Sequence, residues 1–235
     1  MKLLLISNST NPGEAYLDYP KNDIKEFLGD KPVKARFSPY AGITFSHDEY
    51  EEKVNNRFKE IGHSVTGIHH FEDPVKAVEE AEAIVIGGGN TWHLVLTMQE
   101  NKLIEAIQKK VKEGTPYIGW SAGSNVACPT LKTTNDMPIS EPLSFNTLNF
   151  VPFQINPHYL DHHPSNHGGE TREMRINEFM VVNPDTYVVG LREGTMLLVE
   201  NDTMKLIGDR EARIFKHGQE PKELTHNDDF TFLLK

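Results

Sequence analysis

The chain has 235 residues, and its 24 lysines and arginines against 34 aspartates and glutamates give a formal net charge of −10. An acidic chain without a basic stripe does not match a nucleic-acid-binding protein, so we expect no nucleic-acid partner. No segment is apolar and long enough to span a membrane, and the apolar run at the start is too short for a signal peptide. The single cysteine, Cys128, fits a reducing compartment. We predict one domain over residues 1–235, soluble and cytoplasmic.

The first half of the chain alternates apolar strands with helices. Apolar runs predict strands at residues 3–6, 33–37, 65–68, 83–86 and 116–118. Amphipathic or helix-compatible stretches predict helices at residues 48–61, 74–80, 92–98 and 102–112. Strands that are apolar on both faces and alternate with helices predict an α/β fold. We expect three layers, with a mostly parallel sheet covered by helices on both faces.

Polar or glycine-rich turns follow three of these strands. They are Ser7-Asn8-Ser9, Gly87-Gly88-Gly89 and the turn that contains Ser121. Ligands of such sheets bind at the carboxyl ends of the strands, so we expect the three turns to lie on one edge.

The second half of the chain is less regular. It contains a predicted helix at residues 170–182 and short predicted strands at residues 131–134 and 153–156. Four more strands are predicted at residues 187–191, 196–200, 204–207 and 212–215. We interpret these last strands as antiparallel hairpins at one edge of the sheet.

The clearest chemical motif is Gly119-x-Ser121-x-Gly123, which lies between an apolar run and a helix-compatible stretch. This spacing is typical of a nucleophile elbow, in which small residues flank a serine on a sharp strand-to-helix turn. The amide of Ala122 would then donate to an oxyanion. An ordinary strand-to-helix turn can show the same pattern, so the motif by itself does not establish a nucleophile.

The triple glycine offers a second oxyanion donor, from Gly88 or Gly89. Glycine also allows backbone amides to approach a phosphate, but this stretch lacks the Lys-Ser/Thr of a P-loop and the spacing of a dinucleotide-binding motif. A tight turn without any ligand is the remaining interpretation.

His158 is the best candidate for a general base among the eleven histidines. It follows a strand-like segment and Pro157, which places it at the predicted catalytic edge. Three histidines follow at spacings that also occur in metal sites, namely His162, His163 and His167. Pro164 and two glycines in this stretch favour a polar loop, so we predict no metal.

The acid that orients such a histidine has two candidates, Asp136 and Glu193, and spacing does not choose between them. Either one could instead be a simple turn residue. Arg172 lies in the first turn of a predicted helix, where a cation is mildly unfavourable. This position indicates either an anionic ligand or a salt bridge with a neighbouring glutamate.

Segments spread over the chain, up to about Gly194, occur in the order found in one family. They are residues 3–10, 39–44, 48–50, 65–69, 86–91, 119–123, 128–130, 133–139, 154–158 and 169–173. Together they resemble the peptidase E family of serine peptidases, which are aspartyl dipeptidases. The resemblance implies an α/β fold similar to that of class I glutamine amidotransferases and flavodoxin. It also implies hydrolysis of dipeptides with an N-terminal aspartate, without metal or cofactor.

The resemblance also implies roles for single residues. Ser121 corresponds to the nucleophile and His158 to the base. Asp136 corresponds to the acid, but Glu193 also lies in a matching segment, and the acid outside the triad is a candidate for binding the substrate amine. Arg172 lies in the segment expected to hold the aspartate side chain.

Asn90, next to the triple glycine, is a further candidate for substrate binding. The oligomeric state stays open between a monomer and a homodimer.

Two other functions remain open. A cyanophycinase-type hydrolase would share the serine elbow and cleave aspartyl-arginine linkages in a polymer. A non-catalytic protein would use the triple glycine to bind a nucleotide or another anion. A glutamine amidotransferase would need a thiol at the elbow, where this chain has Ser121.

Overall fold

A computed structural model describes residues 1–161 and 168–235. The strands of the described residues are β1 (Lys2–Ile6), β2 (Lys34–Ser38), β3 (Ser64–Gly67), β4 (Ala83–Ile86), β5 (Tyr117–Trp120), β6 (Gln154–Tyr159), β7 (Val188–Arg192), β8 (Met196–Glu200), β9 (Thr203–Ile207), β10 (Ala212–Phe215) and β11 (Lys222–Leu224). The helices are α1 (Lys21–Leu28), α2 (His47–Glu60), α3 (Pro74–Glu79), α4 (Thr91–Glu100), α5 (Leu103–Lys112), α6 (Ala122–Asn125) and α7 (Arg172–Val182). None of these described helices has the length and apolar character needed to cross a membrane.

The larger sheet has seven strands in the order β3-β2-β4-β5-β1-β8-β9. The first five strands of this order are parallel, and β8 and β9 form an antiparallel hairpin beside β1. The mixed α/β sheet with helices confirms the predicted fold class. Because β1, β4 and β5 are parallel neighbours, their carboxyl ends meet at one edge, as predicted for the three turns.

Side chains that alternate along the parallel strands pack against helices on both faces of this sheet. On one face, Leu4 of β1 belongs to a core shared with Phe27 of α1 and Val54 of α2. On the other face, Leu5 belongs to a core shared with Leu94 of α4 and Ile107 of α5. Burial on both faces explains why the strands are continuously apolar in sequence.

A second sheet has four strands in the order β11-β10-β7-β6, and β6 and β7 are parallel. The predicted hairpins at one edge are therefore correct for β8 and β9, whereas β7 and β10 belong to this separate sheet. The strand predicted at residues 131–134 is wrong, because Leu131 is buried without joining a sheet. Thr133 there uses its hydroxyl to bond the Ile155 carbonyl, 2.8 Å away.

The two sheets are joined by polar side chains at the end of β1. The buried hydroxyl of Ser7 donates to the Leu191 carbonyl at 2.7 Å and accepts from the His158 amide at 3.0 Å. The side-chain oxygen of Asn8 accepts from the Gly194 amide at 2.8 Å. These bonds place the ends of β6 and β7 beside the edge formed by the parallel strands.

Candidate active site

Ser121 lies on the sharp turn between β5 and α6, with φ 53° and ψ −112°. The positive φ is strained for a residue with a side chain, as expected at a nucleophile elbow. A Cβ at position 119 would lie 2.3 Å from the Gly123 carbonyl oxygen, and one at position 123 would lie 2.1 Å from the Ile86 carbonyl oxygen. The turn therefore requires both glycines of the motif.

His158 is the bulged residue of β6, where the register with β7 shifts between Pro157 and Tyr159. Its φ of 52° is also positive. A bulge of this kind redirects one side chain of a strand, and here it turns the imidazole toward the larger sheet. The His158 Nε2 atom lies 2.9 Å from the Ser121 Oγ atom.

Glu193 directly follows β7, and its Oε1 atom lies 2.7 Å from His158 Nδ1. Since β6 and β7 are parallel, their carboxyl ends meet, which brings the imidazole and the carboxylate together. The side chains of His158 and Glu193 are 37% and 33% exposed, so the pair is accessible from solvent. Ser121, His158 and Glu193 form one hydrogen-bonded chain.

The predicted oxyanion donors lie beside this chain. A Cβ at Gly88 would be only 2.9 Å from the Ser121 Cβ, so the triple glycine turn closely approaches the serine. Within residues 1–161 and 168–235, the amides of Gly88 and Gly89 have no hydrogen-bond acceptor. The amide of Ala122 begins α6 and therefore lacks an intrahelical acceptor. All three amides remain free to bind a ligand oxygen.

A cavity of about 500 Å³ opens in front of Ser121. Its lining includes all three predicted turns, through Ser9, Gly88, Gly89 and Ser121, together with His158. This agrees with the expectation that the turns share one edge. The remaining lining residues are Tyr16, Phe45, Glu49, Tyr50, Lys53 and Trp120.

The profile of peptidase family S51 matches residues 3–207. The chain belongs to this family. It is 53% identical over 234 residues to a peptidase E of Nostoc sp. (strain PCC 7120). The alignment covers 100% of this chain and 97% of that protein. It is 48% identical to a peptidase E of Streptomyces coelicolor over 100% of this chain and 95% of that protein. The resemblance to peptidase E is thus confirmed, and the protein is a peptidase.

A solved structure shares the fold of this S51 peptidase. The crystal structure of a peptidase from an acI-B1 Actinobacterium superposes with a TM-score of 0.70 at 17% sequence identity. The match covers 97% of this chain and 96% of that chain.

Asp136, the other candidate acid, makes no hydrogen bond to His158 within the described structure of the S51 peptidase. Its Oδ2 atom accepts hydrogen bonds from the amide of Thr91 at 2.7 Å, the hydroxyl of Thr91 at 2.6 Å and the hydroxyl of Thr134 at 3.0 Å. The first turn of α4 attracts a carboxylate because its amides lack partners. Of the two acids predicted as candidates, Glu193 is the one hydrogen-bonded to His158, and the alternative of Asp136 is corrected.

Asn90 is the N-cap of α4. Its side-chain oxygen accepts from the His93 amide at 3.1 Å, and its side-chain nitrogen donates to the Met137 carbonyl at 2.8 Å. Because both ends of the amide are bonded within the protein, the structure gives Asn90 a structural position rather than the predicted substrate contact.

Arg172 lines a second cavity, of about 200 Å³, together with Asp136, Asn156 and Arg175. Its buried Nε atom has no hydrogen-bond partner among the described residues. Burial lowers the pKa of the Arg172 guanidinium, and the neighbouring Arg175 lowers it further, whereas Asp136 raises it. A site with these properties favours an added anion. One lining residue of each cavity lies on β6, Asn156 for this cavity and His158 for the first, two positions apart in the chain.

Three aromatic residues of the site were not predicted from the sequence. The Tyr50 hydroxyl donates to the Gly88 carbonyl at 2.9 Å and accepts from Trp120 Nε1 at 3.3 Å and from the Tyr16 hydroxyl at 3.1 Å. Burial raises the pKa of Tyr50 to about 12, so its hydroxyl stays protonated. The helical pattern of α2 indicated that Tyr50 faces inward. The only indication of its hydrogen bonds was the hydroxyl group on a residue that faces the core.

One group of side chains within the described ranges could hold a metal ion, namely Asp48, Glu51, His69 and His70. Its ligand atoms all lie within 4.8 Å of one another, and no member lines the cavity in front of Ser121. The predicted chemistry at Ser121 therefore does not involve this group. His162, His163 and His167, which we predict to form a loop without metal, lie outside the described residues.

Proposed function

We propose that this S51 peptidase is a serine dipeptidase that hydrolyses dipeptides with an N-terminal aspartate. The observation that carries this proposal is the chain of contacts from Ser121 Oγ to His158 Nε2, at 2.9 Å, and from His158 Nδ1 to Glu193 Oε1, at 2.7 Å. A nucleophile, a base and an orienting acid in this order form the arrangement of a catalytic triad.

In the first half of the reaction, Ser121 Oγ attacks the carbonyl carbon of the aspartyl residue while its proton moves to His158 Nε2. The π electrons of the carbonyl move to its oxygen, which becomes an oxyanion. The amides of Ala122 and of Gly88 or Gly89 donate hydrogen bonds to this oxygen. When the tetrahedral intermediate collapses, the C–N bond breaks and His158 passes its proton to the leaving amine.

In the second half, a water molecule attacks the ester formed on Ser121. His158 accepts one proton of this water and then returns a proton to Ser121 Oγ as the C–O bond to the enzyme breaks. Glu193 holds the imidazole in the tautomer that leaves Nε2 free to accept a proton, and it stabilises the imidazolium that forms twice in the cycle.

The preference for aspartate rests on the second cavity. Arg172 has a buried nitrogen without a partner there, and a substrate carboxylate would provide a charge-assisted bond. Asp136 lines the same cavity, and its Oδ1 atom accepts no hydrogen bond from the described residues. We assign this oxygen to the α-amine of the substrate, which explains a requirement for an N-terminal residue. A glutamate side chain would carry its carboxylate one methylene too far.

A cytoplasmic location is part of this proposal. The thiol of Cys128 is free and buried, which suits a reducing compartment. The substrates would then be small aspartyl peptides in the same compartment.

The deciding experiment compares hydrolysis of Asp-Leu, Glu-Leu and Leu-Leu in the presence of a chelator. We expect cleavage of Asp-Leu alone. Ser121→Ala should lower kcat/KM by about 10⁴-fold or more, because the nucleophile is lost. Cleavage of Leu-Leu at a comparable rate would contradict the proposed specificity. No cleavage by folded protein would contradict the proposed substrate class, and aspartyl-arginine polymers would then be tested.

A phosphonate probe for active serines separates an enzyme from an anion-binding protein. We expect the probe to label Ser121 in the wild-type protein and not in Ser121→Ala. An unlabelled wild-type protein would indicate that Ser121 only binds a ligand.

Arg172 is tested beside Arg175, since both line the second cavity. Arg172→Ala should raise KM for Asp-Leu about 10–100-fold, the usual effect of losing a hydrogen bond to a charged group. Arg175→Ala is the matched control, because Arg175 is exposed and lies 3.6 Å from Glu170. Equal effects of both substitutions would remove Arg172 from the aspartate site.

A further inference from the structure

The cavity in front of Ser121 is larger than the proposed binding of aspartate requires. In that proposal the aspartate side chain points toward Arg172 in the second cavity, so most of the first cavity has no assigned ligand. A volume of about 500 Å³ lies within the range that proteins use for small ligands. The unassigned part is lined by aromatic rings and by two charged residues of α2.

The floor of this cavity is apolar and well packed. The rings of Tyr16 and Trp120 are 6.3 Å apart in an edge-to-face arrangement, and those of Tyr16 and Tyr50 are 6.4 Å apart. The Tyr16 hydroxyl donates to that of Tyr50, so both polar tips are bonded to other protein groups. Phe45, which is 46% exposed, packs on Tyr50 with its ring 5.0 Å away at the mouth. Such a surface suits an apolar side chain.

Lys53 supplies the unpaired charge at the mouth. Its Nζ atom lies over the Tyr16 ring, 4.1 Å from the centroid. Among the described residues, no carboxylate lies within ion-pair distance of this ammonium group and no acceptor bonds it. The Lys53 ammonium group therefore contacts the face of the Tyr16 ring, and its positive charge is not neutralised there.

Glu49 is the other charged residue of the cavity, and it is bound elsewhere. Its Oε2 atom accepts from both the amide and the hydroxyl of Ser46 at 2.8 Å, which completes the capping box of α2. These bonds lower the pKa of Glu49, and the amino end of the helix offsets its negative charge. Lys53 is thus the group at this mouth that is free to bind an anion.

We propose that this cavity binds the leaving residue of the dipeptide, with its side chain against the aromatic floor and its C-terminal carboxylate on Lys53. The inference rests on the proposed dipeptidase function and extends it to the second residue of the substrate. A dipeptide with its scissile carbonyl at Ser121 has the next side chain and a free carboxylate on the leaving side. The cavity presents an apolar surface and a cation for these two groups.

The test compares Asp-Leu with Asp-Leu amide, which differ only in the charge of the C-terminus. For the wild-type enzyme, we expect kcat/KM to favour the free acid about two- to fivefold, as an ion pair at an exposed lysine allows. Lys53→Met keeps the apolar stem and removes the charge. It should raise KM for Asp-Leu about two- to fivefold, leave KM for the amide unchanged and remove the preference for the free acid. Lys53→Arg should retain the preference.

Lys59→Met is the matched control, since Lys59 lies on the same helix and outside the cavity. It should behave as the wild-type enzyme does. Equal cleavage of acid and amide by the wild-type enzyme, or equal losses on both substrates in Lys53→Met, would overturn the assignment of Lys53 and leave the dipeptidase proposal intact. Failure of the wild-type enzyme to cleave either substrate would overturn the proposed function and this inference with it.

The proposed contact between the leaving side chain and the aromatic floor is tested separately, by changing the second residue of the substrate. The wild-type enzyme should have a KM at least about 10-fold lower for Asp-Phe or Asp-Leu than for Asp-Gly, because an apolar side chain leaves water on binding. Equal KM values for the three substrates would overturn the assignment of the floor to the leaving side chain.

Discussion

The seven-stranded sheet and the four-stranded sheet contribute to the active site in different ways. The larger sheet provides Ser121 and the triple glycine on turns between neighbouring elements, and these turns form from short local motifs. The smaller sheet provides His158 and Glu193, which lie 35 residues apart in the chain and meet because β6 and β7 are parallel. One half of the site is therefore determined by local backbone geometry, and the other half by strand pairing.

This difference has a structural consequence at the boundary between the sheets. His158 lies 151 residues from Ser7 in the chain, yet its amide is bonded to the Ser7 hydroxyl. The turn after Glu193 is bonded to Asn8 in a similar way, through the Gly194 amide. We infer that the end of β1 aligns the imidazole and its acid with the nucleophile. Substitutions in the larger sheet, in the smaller sheet and at the boundary between them should therefore have distinct effects on activity and stability.

The largest difference is expected between the two acids. Glu193→Gln should lower kcat for Asp-Leu by about 10³–10⁴-fold, because the neutral amide no longer stabilises the imidazolium. Asp136→Asn should leave kcat within about threefold and raise KM, since Asp136 does not contact His158. Steady-state kinetics of both variants measure this contrast. A larger loss of kcat in Asp136→Asn than in Glu193→Gln would contradict the assignment of Glu193 as the acid that orients His158.

The local half of the site is tested at Gly88. A Cβ there would lie 2.9 Å from the Ser121 Cβ and 3.2 Å from the Trp120 carbonyl oxygen. Gly88→Ala should therefore displace the turn and lower kcat about 10²-fold, the usual effect of losing an oxyanion donor. Gly168→Ala is the control, because a Cβ at position 168 would meet nothing within 4 Å. Unchanged kcat in Gly88→Ala would argue against an oxyanion role for this turn.

The boundary between the sheets is tested at Ser7. Ser7→Ala leaves the His158 amide without its acceptor and should lower the free energy of unfolding by about 1–3 kcal/mol. It should also lower kcat about 10-fold with little change in KM, because the imidazole loses its alignment. Urea unfolding and steady-state kinetics measure the two effects.

Ser38→Ala is the matched control for Ser7→Ala. Ser38 is also a buried serine, at the end of β2, and its hydroxyl has no partner among the described residues. Removal of the Ser38 hydroxyl should lower kcat and the free energy of unfolding by much less than Ser7→Ala does. Equal effects of the two substitutions would contradict a special role for Ser7.

The smallest effect on activity is expected at Cys128, which lies after α6 and contacts the smaller sheet. Its Sγ atom accepts from the Ile155 amide of β6 at 3.1 Å. Cys128→Ala should lower the free energy of unfolding by about 1–3 kcal/mol and leave kcat/KM within about twofold. Burial raises the pKa of this thiol far above its ordinary value. Iodoacetamide should therefore modify Cys128 at pH 8.5 only after unfolding, and rapid modification of the native enzyme would contradict this.

The elements of the parallel sheet and the elbow are recognisable from the amino-acid sequence alone. Strands such as β4 and β5 are recognisable because burial on both faces requires continuous apolar runs. Gly119 and Gly123 are recognisable because the turn around Ser121 has no room for a Cβ at either position. These requirements involve close neighbours in the chain or a uniform environment, so a short segment reveals them.

The rest of the site depends on contacts that form only in the folded chain. Asp136 and Glu193 both follow plausible local patterns, and only the pairing of β6 with β7 brings Glu193 to His158. The division of the last strands between two sheets was likewise invisible, since each strand has the same apolar pattern in either sheet. Lys53 resembles any exposed lysine of an amphipathic helix until Tyr16, 37 positions earlier, is placed beneath it. Contacts between distant segments depend on the assembled fold, and local periodicity carries no record of them.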